Sequence, residues 1–241
     1  MLVTGAAQGM GRAHARRLAR DGATVIVNDR VATPELDELA ASLGGVAAPA
    51  DCSDPQQVQA MLQQVGDIDV LVANHAYMTM GAVLDHDLDD WWRIVDTNLG
   101  GTFHLVQAVL PGMRRLGAGR IVVITSEWGV VGWPNATAYA ASKAGLISLV
   151  KTLGRELAPE QINVNAIAPG VIDTPQIEVD AKDAGVTLAE MHDVYARDIP
   201  LGRIGRPEEV SVAVSLLADF RLRALTGQTI HINGGSTRAR A

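Results

Sequence analysis

Tyr139-Ala140-Ala141-Ser142-Lys143 sets a phenol and an ammonium four residues apart. On a helix that spacing puts both on one face, about one turn from each other. The pairing has a chemical use. A tyrosine with an ordinary pKa near 10 is a poor proton donor or acceptor at neutral pH, but an opposite charge within about 4–6 Å lowers a pKa by about 1–3 units. Tyr139 is therefore a candidate general acid/base with Lys143 as its activator, against the plainer reading of two ordinary residues on a helix surface. Ser126, thirteen residues earlier, closes a β-branched run, where its hydroxyl could hold the same substrate oxygen. Lys143, Lys151 and Lys182 are the only lysines among twenty basic residues. Where arginine is otherwise preferred, a compact charge with a tunable pKa at 143 favours a chemical role.

A second group of residues suits a dinucleotide. Thr4-Gly5-Ala6-Ala7-Gln8-Gly9-Met10-Gly11 places glycines between an apolar run and a helical pattern. Backbone can approach a pyrophosphate closely there, and helix N–H groups can bind it. The order G-x-x-x-G-x-G differs from the general G-x-G-x-x-G fingerprint, so a tight turn without a ligand competes with the binding reading. Eighteen residues after Gly11, the run Val25-Ile26-Val27-Asn28 ends in Asp29. A carboxylate there accepts both ribose hydroxyls of an adenosine and repels a 2′-phosphate, which argues for NAD over NADP. Arg30 beside it could pair with that phosphate and keeps NADP open. Asp51-Cys52 ends the next run, where a carboxylate could accept from the adenine amino group, while Ser53 or Asp54 suits a cap for the following helix.

The elements that must position these residues follow from alternating patterns. Strands are predicted at Leu2-Val3, Thr24 to Asn28, Val46 to Pro49, Val70 to Ala73, Ile121 to Thr125, Asn163 to Ile167 and Thr229 to Ile232. Several are apolar on both faces, as parallel strands covered by helices are. Helices are predicted at Met10 to Asp21, Pro34 to Leu43, Pro55 to Val65, Leu88 to Met113, Thr137 to Leu157 and Pro207 to Ala218. Strands alternating with helices give an α/β fold with a doubly wound parallel sheet. With no linker, repeat or low-complexity tract, residues 1–241 read as a single dinucleotide-binding and catalytic domain. Residues 174–200 lack a strand signal, are polar and helix-prone, and read as a substrate lid or loop.

Composition narrows the partners. Hydrophobic residues make up 48% and charged residues 20%, with no run long enough for a membrane span. The net charge of −7 and the lack of a basic stripe argue against nucleic acid. One cysteine, Cys52, forms no internal disulfide and fits a reducing compartment. With no leader ahead of Gly5, a cytoplasmic protein is expected, though a first strand this short suggests a natural start upstream of Met1. The six histidines show no metal-ligand spacing, so no metal site is expected.

Taken together, these motifs resemble the short-chain dehydrogenase/reductase family over essentially the whole chain. The cofactor loop from Thr4 to Gly11, Asn98 in Asp96-Thr97-Asn98, the Ser126, Tyr139 and Lys143 set, Pro169-Gly170-Val171-Ile172-Asp173-Thr174, and Thr226-Gly227-Gln228 to Gly234-Gly235 occur in the family's order. The resemblance implies a Rossmann-type domain with seven parallel strands in the order 3-2-1-4-5-6-7 and helices on both faces. It also implies hydride transfer between NAD and an alcohol or carbonyl, with Tyr139 exchanging a proton with the substrate oxygen and Ser126 polarising it. By the same resemblance Lys143 binds the nicotinamide ribose and lowers the tyrosine pKa, and the Asn98 main chain supports a water-linked proton path. Ile172 and Thr174 would hold the carboxamide, Gln8 and Met10 would flank the pyrophosphate, and Asn74 would contribute to the cofactor site. The helices carrying Asn98 and Tyr139 pair across a two-fold axis in the family, which implies a dimer or a homotetramer.

This chain departs from the family at two places. N-N-A-G appears as Ala73-Asn74-His75-Ala76, leaving His75 either facing substrate or packing beside the ribose. Glu127 could read a polar substrate or turn away to pair with an arginine. Trp128, Trp133, Met78 and Met191 are candidates for an apolar pocket wall, and Trp91-Trp92 for core or subunit packing. The expected activity is an NAD(H)-dependent alcohol dehydrogenase or carbonyl reductase acting on a small molecule. The alternatives are an NADPH-dependent 3-oxoacyl thioester reductase, a lyase or epimerase with bound nicotinamide, and a non-catalytic dinucleotide sensor.

Overall fold

The computed structural model describes residues 1–237. Strands β1 (Leu2–Val3), β2 (Ile26–Val27), β3 (Val46–Ala47), β4 (Val70–Ala73), β5 (Gly119–Ile124), β6 (Ile162–Pro169) and β7 (Thr229–Ile232) form one sheet in the order β3-β2-β1-β4-β5-β6-β7. Every pairing is parallel. β4, β5 and β6 are buried along their whole length, as parallel strands covered by helices on both faces are. Neighbours in a strand go to opposite faces: Leu71 joins the apolar layer under α3 (Pro55–Val65), α5 (Gly101–Leu116) and α7 (Thr137–Leu157). Val72 joins the layer under α1 (Gly9–Arg20), α2 (Pro34–Leu43) and α10 (Pro207–Ala218). The sheet is thus doubly wound, as the sequence predicts.

Local chemistry sets the boundaries. Thr33 caps α2 through Leu36 N–H, and Asp54 caps α3 through Gln56 and Gln57 N–H, with Pro34 and Pro55 in the first turns. The long helix predicted at Leu88 to Met113 is interrupted: α4 (Leu88–Val95) passes into a π turn at Asp96–Gly100 before α5 resumes and runs on to Leu116. Apolar periodicity does not distinguish five-residue from four-residue hydrogen bonding, so this break was invisible in the sequence. β5 starts two residues earlier than predicted and β6 extends two further, to Pro169. Asn163 and Asn165, polar within a buried strand, are satisfied by the Leu222, Arg223 and Leu225 carbonyls of the loop entering β7. A short helix, α6 (Trp128–Val131), follows β5, and residues 174–200 hold α8 (Pro175–Ala184) and α9 (Leu188–Ala196).

Candidate active site

The carboxyl ends of β1, β2 and β4 open into a cleft of about 410 Å³ lined by Gly5, Gln8, Gly9, Met10, Asp29, Arg30, Asp51, Cys52, Asn74 and Thr174. The strand order reverses between β1 and β4, the place where open α/β sheets take ligands. Gly5 and Gly9 have φ of +62° and +52°, and a Cβ on Gly11 would sit 2.1 Å from the Gly5 carbonyl oxygen. Only glycines let β1 turn into α1 this tightly. The first N–H groups of α1 have no partner within the helix, and Gln8 at the cap position does not bond them. They are free to take a phosphate.

The far end of the cleft is acidic. Asp29 is fixed by two main-chain donors, one from the glycine loop and one from its own turn: Oδ2 accepts from Ala7 N–H at 2.9 Å and Oδ1 from Arg30 N–H at 2.8 Å. Asp51 Oδ1 accepts from Ser53 N–H at 2.9 Å, leaving the helix cap to Asp54. Cys52 is buried in the wall with its thiol 3.5 Å from Asn28 Oδ1, and burial raises that thiol far above its ordinary range, so it stays protonated. Asn74 Nδ2 donates to the Thr4 and Gly5 carbonyls, whereas its buried Oδ1 has no partner. Free helix N–H groups, a glycine cradle, a strand-end carboxylate and an orphaned amide oxygen together fit a dinucleotide.

A second cavity of about 220 Å³ adjoins the cleft, sharing Met10, Ala76, Thr174 and Gln176 as walls. Ser126, Tyr139, Gly170 and Ile172 line it. Ser126 Oγ accepts from Trp128 N–H at 3.1 Å, and its hydroxyl favours the ionised form of Tyr139 across the same pocket. Gly11, Asn98, Lys143 and Pro169 stand behind these walls rather than in them.

Burial dominates the proton affinity of both members of the Tyr139 and Lys143 pair. Burial pushes the phenol up to about 12, opposed only by the Ser126 hydrogen bond. Burial also pushes Lys143 down to about 8. The lysine Nζ lies 5.4 Å from the tyrosine ring centroid, and it donates to the Ile124 carbonyl at 2.8 Å. Taking both groups out of water disfavours phenolate and ammonium alike. Tyr139 therefore holds its proton at neutral pH.

Asn98, fully buried in the π turn, accepts from Tyr77 N–H at 2.8 Å and donates to the Tyr77 carbonyl and to Ser142 Oγ. Its main-chain carbonyl accepts from Thr102 Oγ1 at 2.8 Å. His75 packs instead of facing substrate. Its Nε2 lies 3.1 Å from the Thr97 carbonyl, which only accepts, so Nε2 carries the hydrogen and Nδ1 accepts from Thr4 Oγ1 at 2.8 Å. Burial lowers its pKa to about 4, and this neutral ring ties β1 to the π turn next to Asn98.

Glu127 is buried, and among the described residues its carboxylate accepts from Asn233 Nδ2 at 3.2 Å and from the Ser236 hydroxyl. Trp128 and Met78 form pocket wall as predicted, while Trp133 stacks on Trp128 from outside at 5.0 Å, and Met191 lies behind, packed on Ala181 and on the wall residue Ile177. Trp92 is 54% exposed rather than core. Sequence reasoning missed Tyr77, Arg93, Asp180 and Tyr195, which line the two cavities. No short motif contains them. Among the described residues no group of histidine, cysteine, aspartate or glutamate side chains could hold a metal, and no helix is long and apolar enough to cross a membrane.

Comparison with known proteins agrees with this geometry. The family model described as enoyl-(acyl carrier protein) reductase matches residues 5–237. A solved structure of a short chain dehydrogenase/reductase family protein superposes with a TM-score of 0.87 at 34% identity, covering 97% of this chain and 95% of that one. This chain belongs to the short-chain dehydrogenase/reductase family. Within the short-chain dehydrogenases/reductases, it is 40% identical to a 3-oxoacyl-[acyl-carrier-protein] reductase of Thermotoga maritima, over 97% of this chain and 96% of the relative. The corresponding reductase of Staphylococcus aureus strain Mu50 is 37% identical over the same shares. The chain is thus an oxidoreductase of the NAD(P)-using short-chain dehydrogenases/reductases.

Proposed function

We propose that this protein reduces the 3-oxo group of an acyl thioester, with Tyr139 supplying the proton. The observation that carries the reading is the pair of hydroxyls, Ser126 and Tyr139, in a pocket that shares walls with a dinucleotide-shaped cleft. Bound nicotinamide supplies the hydride at its C4. Ser126 orients the substrate carbonyl, and Tyr139 donates its O–H to the oxygen as it becomes an alkoxide. A phenol that holds its proton is in the state to supply one to the substrate oxygen. Lys143 and the Asn98 turn restore the tyrosine's proton from behind, and His75 holds that turn. The relatives named 3-oxoacyl-[acyl-carrier-protein] reductase support the thioester.

A second reading is an NAD-linked dehydrogenase of a small secondary alcohol. Asp29 favours it, because a carboxylate fixed at the end of β2 suits the two ribose hydroxyls of NAD and opposes a 2′-phosphate. On this ground NAD is the preferred cofactor under either reading. We further assign residues 1–241 to one domain, with α8 and α9 as a lid, in a cytoplasmic homo-oligomer that takes no nucleic acid. Exposed Leu88, Trp92 and Phe103 on α4 and α5 support the oligomer. Turnover of a 3-oxoacyl thioester, simple ketones and secondary alcohols with each of NADH/NAD and NADPH/NADP tests all of this. Thioester reduction outrunning the ketones is expected, with NADH the faster donor. Oxidation of alcohols alone would favour the second reading, and no turnover of any kind would overturn both.

A further inference from the structure

The pocket above Tyr139 has one carboxylate in its wall. Asp180 on α8 lines the same cavity as Ser126 and Tyr139. Its Oδ2 accepts from Tyr195 O–H at 3.0 Å and its Oδ1 from Gln176 Nε2 at 2.9 Å. Both partners are neutral, and burial with the adjacent carboxylate raises the Tyr195 phenol, so it remains a donor. None of the ion pairs among the described residues includes Asp180. The carboxylate is also held in place. Ile177, Ala181 and Met191 pack with Tyr195 to lock α8 against α9, so the charge is preset rather than recruited by the ligand. The other walls include Met10, Met78, Trp128, Val171 and Ile172, which screen a charge poorly.

We infer that Asp180 sets the charge preference of the substrate pocket, admitting ketones that are neutral or carry a hydroxyl or ammonium donor and turning away free keto acids. An unpaired carboxylate in a small, mostly apolar cavity repels a second anion and accepts from any donor brought near it. A 3-oxoacyl group enters this pocket only with its carboxylate masked, as in a thioester. The inference rests on the hydride-transfer reading above and goes further, because nothing in that reading fixes the charge of the substrate.

The test compares wild type with Asp180→Asn, which keeps an acceptor oxygen and removes the charge. The substrates are free 3-oxobutanoate, its neutral N-acetylcysteamine thioester and 4-hydroxybutan-2-one. Relative to the thioester, kcat/KM in the variant should rise about tenfold for the free acid and fall about tenfold for the hydroxyketone, the scale of one screened charge across a pocket of this size. Tyr195→Phe, which keeps the charge, should preserve the wild-type ranking. Calorimetric binding of butane-1,3-diol against 3-hydroxybutanoate gives the same comparison without turnover. Equal ratios in wild type and Asp180→Asn in both measurements would overturn the assignment. Failure to turn over any ketone would overturn the hydride-transfer reading instead, with the binding ratio still deciding the role of Asp180.

Discussion

Replacing Lys143 by methionine should make the protein more stable and catalytically inert. The side chain is 2% exposed, and its ammonium has one protein partner, the Ile124 carbonyl at 2.8 Å. Burial lowers its pKa from 10.5 to about 8. At 1.36 kcal/mol per unit, the charged lysine costs the folded state roughly 3 kcal/mol at neutral pH. Methionine fills similar space without a charge and loses one hydrogen bond worth about 1 kcal/mol, for a net gain of about 2 kcal/mol. For a chain of this size that is a rise of about 4–8 °C in Tm. The pH dependence fixes the cause. A basic group whose folded pKa is depressed carries its full cost below about pH 8, and the cost fades as pH rises towards 10.5, where the lysine is neutral in both states. Calorimetric melts of both proteins between pH 7 and 10.5 should therefore converge. A variant less stable at pH 7, or a Tm gap constant with pH, would refute the reasoning.

Two further perturbations follow from the same geometry. Burial holds His14 at about 3 and His75 at about 4, both below the ordinary 6.5, so each unfolded histidine takes up a proton that the folded one refuses. Stability they support above pH 6.5 is lost as pH falls, by up to about 1.4 kcal/mol per unit for each. His14→Gln should flatten the urea-midpoint profile between pH 4.5 and 6.5, and a slope identical to wild type would exclude this origin. Gly11→Ala drives a methyl into the Gly5 carbonyl, a clash of backbone with no flexible side chain to yield. A loss of about 3 kcal/mol or more, together with loss of dinucleotide binding, is expected by denaturation and titration; a folded, binding variant would contradict it.

What could be read from the sequence was what short periods encode. Tyr139 and Lys143 lie on one helix because four residues make a turn, and the glycine loop is legible because β1 must turn into α1 within a few residues. The parallel sheet was legible in apolar runs such as Val70–Ala73. The state of the site was not. Lys143 donates to the Ile124 carbonyl, nineteen positions away, and burial dominates the proton affinity of both this lysine and Tyr139. Glu127 accepts from Asn233, 106 positions away, a contact no local pattern encodes. Asp180 reaches the pocket because α8 packs on α9, a tertiary contact that no local pattern announces. The π turn holding Asn98 was hidden because it leaves the apolar pattern of α4 and α5 almost intact.

The account stands on the Tyr139 hydroxyl as proton donor. Tyr139→Phe removes that one oxygen and leaves Ser126 and the cleft in place. Steady-state reduction of a 3-oxoacyl thioester by the variant should fall by about 10²–10⁴-fold, while its affinity for NADH stays within a few-fold of wild type. Turnover at the wild-type rate with cofactor bound would contradict it.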